Sequence, residues 1–263
     1  MDDFEAGGLR GTIAGEGVPV VLLHGLTATR RYVVMGSRHL ERNGHRVLAY
    51  DARGHGASSP GEYEYADLAR DLETVMDAAG FDSAVLAGAS MGAHTIVRFA
   101  LEHPERVAGA VLVTPAFEPG GLPEDKIDRY DRLSAALRER GVDGFVEAYG
   151  DVPGKWQDTI RTVLRQRLSA HEDHDAVADA LRVVPRSHPF TSWGHLEELD
   201  MPAVVVASRD EADPEHPFAT GERYAERMPR ARLVSEEPGS SPLAWQGGQL
   251  SKVIAGLAAE VRA

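Results

Sequence analysis

The sequence predicts an α/β fold in which a mostly parallel central sheet is flanked by helices on both faces. Short aliphatic runs rich in Val and Leu recur along the chain and do not alternate with polar residues. Such runs are typical of strands that are buried on both faces. Amphipathic stretches with helical spacing lie between the runs, and this alternation of strands and helices favours a parallel sheet.

The predicted strands follow the aliphatic runs in chain order: Leu9–Ile13, Val18–Leu23, Arg46–Tyr50, Ala84–Ala87, Ala108–Thr114, Ala203–Ala207 and Arg232–Ser235. The predicted helices that pack on this sheet are Tyr32–Asn43, Tyr65–Ala79, Met91–His103, Phe218–Met228 and Leu250–Val261. Helical crossovers of this kind are what parallel neighbouring strands require.

Residues 117–195 interrupt the alternation. They contain no convincing strand, but they do contain three charged amphipathic stretches: Lys126–Arg140, Trp156–Leu168 and Asp175–Val183. A structureless loop of this length would be rare inside a compact protein. We therefore predict a helical insertion at 117–195 within a core formed by residues 1–116 and 196–263.

Charge and composition exclude several classes of function. Lys and Arg number 28 and Asp and Glu number 41, so the net charge of the 263 residues is −13. A surface this acidic repels phosphate backbones and anionic lipids, so we expect neither a nucleic-acid nor a membrane partner. The absence of cysteine excludes a disulfide scaffold, a Cys nucleophile and thiolate metal sites. The acidic N-terminus lacks the basic and apolar segments of a signal peptide, so the expected location is the cytoplasm.

We expect no metal and no cofactor. His171 and His174 lie in an acidic segment, but the sequence offers no further set of metal ligands near them. We predict that this segment is a solvated charged turn between helices of the insertion. Gly-rich stretches such as Gly120-Gly121 lack the spacing and the strand–helix setting of a nucleotide site.

The segment Gly88-Ala89-Ser90-Met91-Gly92 links a predicted strand directly to a predicted helix. In this context G-x-S-x-G is typical of a strained turn that exposes the serine oxygen at its tip, with glycines that permit close packing. The start of the following helix supplies a backbone N–H and a favourable dipole for a developing oxyanion. Ser90 is therefore the candidate nucleophile.

Two further motifs precede this segment. The strand Val18–Leu23 runs into His24-Gly25, and Asp51-Ala52-Arg53-Gly54-His55-Gly56-Ala57-Ser58 follows the next strand. In this order and spacing the three motifs resemble the α/β-hydrolase superfamily, and most closely its small esterase, cofactor-free haloperoxidase and epoxide-hydrolase-like branch. A serine at position 90, rather than an aspartate, argues against a dehalogenase or epoxide hydrolase and favours acyl transfer.

The resemblance also implies roles for several other residues. The backbone N–H groups of Leu26 and Met91 would form the oxyanion hole, and residues 117–195 would form a helical lid over the pocket. Histidines such as His24 and His55 usually brace loops in this family, and His94, one helical turn after Ser90, is predicted to be a packed helix residue. The catalytic acid is expected just beyond Ala203–Ala207, where Asp213 is the first choice and Asp210 the second.

The expected general base is missing from its usual place. The family carries a histidine after the last strand, but this sequence has Gly239-Ser240-Ser241 there and no histidine after His216. His216 is the best candidate base, three residues after Asp213, although it could equally brace its loop. The lid histidines His188 and His195 could also fold over the pocket.

The predicted function is hydrolysis of a small ester, thioester, lactone or amide through Ser90, with His216 as an atypical base and Asp213 as the acid. An alternative is a catalytically impaired, ligand-binding member of the same fold, because an unassisted serine is a poor nucleophile. A cofactor-free lyase is a further alternative. In each case the partner is a small molecule.

Overall fold

The structure, a computed structural model, describes residues 1–151, 156–209, 213, 215–237, 245 and 247–261. The strands of the described residues are β1 (Asp2–Ala6), β2 (Leu9–Ala14), β3 (Val18–Leu23), β4 (His45–Tyr50), β5 (Ala84–Ala89), β6 (Val107–Val113), β7 (Ala203–Val206) and β8 (Ala231–Val234). They form one sheet in the order β1-β2-β4-β3-β5-β6-β7-β8. The β1–β2 and β2–β4 pairs are antiparallel and the other pairs are parallel, which confirms the predicted fold class.

The helices of the described residues are α1 (His39–Arg42), α2 (Tyr65–Ala79), α3 (Met91–Glu102), α4 (Glu124–Tyr149), α5 (Gln157–Leu168), α6 (His174–Val183), α7 (Gly194–Glu197), α8 (Phe218–Arg227) and α9 (Gly247–Glu260). Apolar residues of α2, α3 and α8 pack on one face of the sheet, and those of α1 and α9 pack on the other. Along β5, Leu86 belongs to the first of these layers and Val85 to the second, and both are fully buried. This explains why the central strands are aliphatic without alternation.

The predicted helix Tyr32–Asn43 is wrong. The structure has a single 3-10 turn at Arg30–Tyr32 and a single helical turn at α1, with irregular backbone between them. Met35 and Gly36 adopt positive φ angles of 47° and 73°, which a right-handed helix cannot accommodate. The apolar residues Val33 and Val34 are nevertheless buried, so their helical spacing reflects packing of a loop.

The sequence analysis also missed β1. This strand pairs with β2 at the edge of the sheet through a turn at Gly7 and Gly8, both of which have positive φ. Its burial pattern is mostly exposed, and it carries acidic residues that are depleted in strands. The Gly-Gly pair is the signal that could have indicated a hairpin.

Helices α4, α5 and α6 lie between β6 and β7, where the sequence predicts the lid, and the part of 117–195 that the structure describes contains no strand. They share a small apolar core that includes Leu137, Leu168 and Val177. The hydroxyl of Ser134 on α4 donates to the carbonyl oxygen of Ala178 on α6 at 2.6 Å. The domain boundaries at 116/117 and 195/196 stay a prediction. Within the described residues, no helix combines the length and apolar character that crossing a membrane would require.

Candidate active site

Ser90 lies on a sharp turn between β5 and α3. Its φ of 50° and ψ of −112° fall in a region that residues with a side chain rarely occupy. The turn is held by a hydrogen bond from the Ser90 N–H to the carbonyl oxygen of Val113 at 2.9 Å. A non-glycine residue in such a conformation is strained, and strain of this kind is concentrated at functional sites.

The two glycines of the turn are required by close packing. A Cβ atom on Gly88 would lie 2.4 Å from the carbonyl carbon of Gly92, and one on Gly92 would lie 2.4 Å from the carbonyl oxygen of Leu23. Both contacts are with backbone, which cannot move aside as a flexible side chain could. The G-x-S-x-G pattern therefore has a steric cause: strand β3, the turn and the start of α3 are in direct contact.

The side chain of Ser90 meets His216 at the tip of this turn. Nε2 of His216 lies 2.9 Å from Oγ of Ser90. Nδ1 of His216 lies 2.8 Å and 2.9 Å from the two carboxylate oxygens of Asp213. Because the carboxylate can only accept, Nδ1 carries the proton and Nε2 is free to accept from the serine hydroxyl.

Asp213 and His216 belong to one short loop between β7 and α8. The backbone N–H of His216 also donates to the carbonyl oxygen of Asp213, at 3.4 Å. Of the two predicted acids, Asp213 is the one that the structure brings to His216, whereas Asp210 lies outside the described residues.

The electrostatics of this loop favour an ionised Asp213. Burial alone would raise the pKa of the Asp213 carboxyl, but His216, the backbone of Glu215 and Arg167 together lower it by more. The pKa therefore lies below its ordinary value, and the carboxylate keeps its charge at neutral pH. An ionised carboxylate at Nδ1 holds the imidazole in one tautomer and stabilises its protonated form.

The predicted oxyanion-hole residues also lie at this point. Met91 is the first residue of α3, so its N–H has no carbonyl partner within the helix. Leu26 follows Gly25, where an added Cβ would lie 3.4 Å from Cβ of Ser90. Leu26 and Met91 line one cavity together with Ser90 and His216. Their role as donors to an oxyanion stays a prediction.

Two cavities reach Ser90 and His216. The larger has a volume of about 410 Å³ and is lined in part by α4 and α5, and the smaller has a volume of about 70 Å³ and extends toward His94. Among the aromatic residues of the lid, Tyr149 and Trp156 line the larger cavity. Phe190 is buried in the core, and Trp193 packs against that core.

A family model described as the alpha/beta hydrolase fold matches residues 18–149, which include Ser90 and the strands on either side of it. The chain belongs to the α/β-hydrolase fold family. 2-Hydroxy-6-oxononadienedioate/2-hydroxy-6-oxononatrienedioate hydrolase 2 of Pseudomonas putida is 31% identical over 237 residues, which cover 83% of this chain and 80% of that protein.

Two other similar proteins extend the comparison. A protein of Mycobacterium phage D29, provisionally named a non-heme haloperoxidase, is 34% identical over 142 residues; the match spans 53% of this chain but only half, 50%, of that relative. A thermophilic esterase from Thermogutta terrifontis, solved with malate bound, has a TM-score of 0.79 at 24% identity, and the match covers 97% of this chain and 94% of that one. This last likeness shows a shared fold.

The buried histidines of this α/β-hydrolase-fold protein brace loops, as the sequence predicts for His24 and His55. Nδ1 of His24 donates to the carbonyl oxygen of Gly25 at 2.8 Å, and Nε2 accepts from the N–H of Ala52 at 2.9 Å. Nδ1 of His55 lies 2.9 Å from the carbonyl oxygen of Arg53. Burial lowers the pKa of His24 to about 3, so this ring is neutral.

His94 is packed inside α3, as predicted. Its Nε2 accepts from the N–H groups of Ala116 and Phe117 at 2.9 Å and 3.1 Å, and its Nδ1 lies 2.9 Å from the hydroxyl of Tyr65. Burial, with a smaller effect of His216, lowers the pKa of His94 to about 3. The ring therefore has no free nitrogen to act on Ser90.

The prediction of a solvated turn is wrong for His171, which is buried. Its Nδ1 accepts from the N–H of Gly56 at 2.8 Å, and its Nε2 donates to the carbonyl oxygen of Thr27 at 3.0 Å. It thus ties the lid to the loop after β3. The sequence around His171 contains no pattern that predicts this contact, because its partners lie more than a hundred residues earlier in the chain. Within the described residues, no group of three or more His, Asp or Glu side chains could hold a metal ion.

The sequence analysis missed the residues that hold the loop of His216. Glu215 pairs with Arg129 at 3.3 Å and with Lys126 at 3.7 Å, both on α4. After β8, where the family places its histidine, Glu236 accepts hydrogen bonds from the hydroxyl of Ser208 at 2.7 Å and from the N–H of Arg209 at 2.6 Å. Gly239-Ser240-Ser241 lies outside the described residues.

Glu236 also accepts from Nε1 of Trp245 at 2.8 Å. Burial would raise the pKa of Glu236, but the hydrogen bonds that the carboxylate accepts have the larger, opposite effect. The pKa of Glu236 therefore lies below its ordinary value. An ionised Glu236 therefore fastens the start of the loop that carries Asp213 and His216. The side chain of Trp245 lines the larger cavity and packs against the apolar layer on one face of the sheet.

Proposed function

We propose that the protein is a serine hydrolase that transfers the acyl group of a small ester, thioester, lactone or amide to water through Ser90. The observation that carries this proposal is the continuous hydrogen-bonded chain from Ser90 through His216 to Asp213. Nucleophile, base and orienting carboxylate within hydrogen-bond reach of one another are the mark of an activated serine.

In the first half of the reaction, Oγ of Ser90 attacks the carbonyl carbon of the substrate while Nε2 of His216 takes its proton. Asp213 holds the imidazole and balances the charge of the imidazolium. The N–H groups of Leu26 and Met91 donate to the carbonyl oxygen as it becomes negative. When the tetrahedral intermediate collapses, the bond to the leaving group breaks, and His216 returns the proton to the departing atom.

In the second half, a water molecule attacks the acyl-Ser90 ester and gives its proton to Nε2 of His216. The bond to Oγ then breaks, Ser90 recovers its proton from His216, and the free acid leaves. The water supplies the oxygen of the acid, so atoms and charges balance without a cofactor. The two cavities that meet at Ser90 provide separate space for the acyl group and the leaving group.

The placement of His216 supports activity over a purely ligand-binding role. A serine that had lost its base would retain only about 10³- to 10⁴-fold acceleration over water, from the oxyanion hole and from binding. Here a base is supplied from the loop after β7 instead of from the loop after β8.

Labelling with a fluorophosphonate probe tests the proposal, together with turnover of p-nitrophenyl acetate and p-nitrophenyl butyrate. We expect the wild type to label and turn over both esters, Ser90→Ala to do neither, and His216→Ala to label far more slowly. Absence of Ser90-dependent labelling and turnover in folded protein would rule out a serine hydrolase and favour the ligand-binding alternative. Turnover that survives Ser90→Ala would instead favour chemistry without an acyl-enzyme.

A further inference from the structure

The larger cavity contains a positive charge that the proposed reaction does not use. The side chain of Arg167, near the end of α5, lines this cavity together with Ser90 and His216. Nη2 of Arg167 donates to the carbonyl oxygen of Leu26 at 2.9 Å and to Oγ1 of Thr27 at 3.2 Å. Because Leu26 belongs to the loop that touches Ser90, the guanidinium lies beside the reacting centre.

The rest of the guanidinium has no anionic partner among the described residues. Nε of Arg167 is buried without a hydrogen-bond partner, and Nη1 makes no hydrogen bond with any described residue. The ring of Tyr32 lies 6.0 Å from the guanidinium carbon. Asp213 acts on Arg167 at longer range, but both oxygens of Asp213 are engaged by His216.

The other charged side chains that line the cavity have partners among the described residues. Arg129 and Glu215 form an ion pair with each other, and Asp213 pairs with His216. Both carboxylates of the described lining are thus engaged by other side chains, and Arg167 is the charged residue there that hydrogen-bonds to no ionisable side chain.

Holding the loop after β3 does not by itself require a charge. A neutral amide could donate to the carbonyl oxygen of Leu26 without the desolvation cost of a guanidinium, and that cost is large for an unpaired ion. Burial lowers the pKa of Arg167, as expected for a cation held away from water. An anion in the cavity would remove this cost, and a guanidinium whose Nη1 has no hydrogen-bond partner among the described residues suits a carboxylate through charge-assisted hydrogen bonds.

We propose that Arg167 binds a carboxylate of the substrate, so that the protein prefers acyl compounds that carry a second, anionic group. The inference deepens the proposed serine hydrolase activity, on which its kinetic test rests. A binding test that needs no turnover separates failure of the carboxylate site from failure of the proposed hydrolase activity.

The kinetic test compares each charged ester with a neutral ester of similar size. Mono-p-nitrophenyl glutarate against p-nitrophenyl pentanoate places the charge on the acyl group, and 4-carboxyphenyl acetate against 4-methylphenyl acetate places it on the leaving group. In at least one pair, we expect kcat/KM of the wild type to favour the charged ester. Arg167→Met should reduce that ratio by about 10- to 100-fold, as expected for the loss of one hydrogen bond between charged groups.

The ratio of kcat/KM for the charged and the neutral ester is insensitive to general damage to the oxyanion hole, because such damage slows the hydrolysis of both esters. Arg167→Lys keeps the charge and should retain part of the preference. Arg165→Gln is the matched control, because Arg165 lies on the same helix and pairs with Asp143 at 3.0 Å on the exposed side. It should leave the ratio unchanged. Ratios that are the same in the wild type and in Arg167→Met for both pairs would overturn the proposal.

The binding test uses Ser90→Ala protein with glutarate and with neutral glutaramide, measured by calorimetry. We expect glutarate to bind more tightly, and the difference to disappear in Ser90→Ala/Arg167→Met. If no ester is hydrolysed but glutarate binding depends on Arg167, the proposed function fails and the carboxylate site stands. If esters are hydrolysed through Ser90 but Arg167→Met changes neither ester ratio nor glutarate binding, the function stands and the carboxylate site fails.

Discussion

His216 and Asp213 lie three residues apart on one loop, and Nδ1 of His216 is 2.8 Å from Oδ2 of Asp213. The proposed base and acid are therefore joined within one loop and approach Ser90 together. A triad assembled from two separate loops would depend on how those loops pack. Here a backbone hydrogen bond from the N–H of His216 to the carbonyl oxygen of Asp213 fixes the spacing of these two residues locally. The consequence is that the contact between Ser90 and His216 depends on the position of a single loop.

The hydrogen-bonded chain predicts non-additive losses of activity. Ser90→Ala and His216→Ala should each lower kcat by about four to six orders of magnitude, and the double variant should lose no more than either single one. Asp213→Asn keeps the shape but disturbs the tautomer, and should cost about 10⁴-fold. The measurement is steady-state turnover of p-nitrophenyl butyrate.

His188→Ala provides the control for this series. His188 is an exposed lid histidine that could have served as a base, and its ring lies 5.5 Å from that of Phe117. Its removal should leave kcat within a few-fold of the wild type. Losses that add in the double variant Ser90→Ala/His216→Ala would contradict a shared chemical step.

The comparison between sequence and structure separates local patterns from contacts between distant residues. Buried strands such as Ala84–Ala89 and the helix Tyr65–Ala79 follow from periodicity, because their residues are fixed by a continuous apolar layer. The predicted helix Tyr32–Asn43 was wrong because burial of a few apolar residues in a loop can imitate helical spacing. Residues predicted for catalysis came from short motifs, and the structure brings Ser90, Asp213 and His216 together.

Residues that position the site carry no such motif. Arg167, His171 and Glu236 contact residues far away in the chain, such as Ser208 at 28 positions from Glu236 and Thr27 at 144 positions from His171. Neither composition nor spacing indicates which of many charged side chains will turn inward. Only the packing of the lid and of the loops against the sheet selects them.

Glu236 predicts a positioning effect on the loop of His216. Glu236→Ala removes the acceptor for the hydroxyl of Ser208 and the N–H of Arg209. We expect kcat to fall by about 10- to 100-fold with a smaller change in KM, because a displaced base slows chemistry more than binding. Steady-state kinetics with p-nitrophenyl butyrate measure this.

Glu236→Gln separates position from charge, since an amide can still accept through its oxygen. It should recover much of the lost kcat. Glu237→Ala, at an exposed neighbouring position, is the matched control and should behave as the wild type. An equal change in KM and kcat for Glu237→Ala would show that the effect is general to the loop.

The close packing at Gly92 predicts that a larger residue there destabilises the fold. A Cβ there would lie 2.4 Å from the carbonyl oxygen of Leu23, so Gly92→Ala must push β3 and α3 apart. We expect the free energy of unfolding to fall by about 2 kcal/mol or more, as for overpacked cores. Urea denaturation measures the change.

Gly256→Ala is the control, for which we expect the free energy of unfolding to rise instead of fall. Gly256 lies on α9, is exposed, and has open space around its Cβ position. Because alanine favours helix, this variant should stabilise the protein by up to about 1 kcal/mol. Destabilisation by both variants would mean that loss of glycine flexibility, and not the contact with Leu23, causes the effect.

The buried histidines predict that stability falls in acid. His24, His55, His94 and His171 are buried, and burial is the main cause that lowers the pKa of each, to about 3 for His24 and for His94. In the unfolded chain these histidines titrate near 6.5. Below that pH the unfolded state binds protons that the folded state does not, so stability is full above about pH 6.5 and is lost as the pH falls toward 3.

Each histidine that stays neutral adds about 1.4 kcal/mol per pH unit to this loss below pH 6. Urea unfolding at pH 8, 7, 6 and 5 should give nearly equal free energies at the first two values and a steep decline at the last. His94→Gln should reduce this slope, and His188→Gln, at an exposed position, is the matched control. A free energy of unfolding that is the same at pH 5 and pH 8 would show that these rings accept protons in the folded protein, with their hydrogen bonds rearranged.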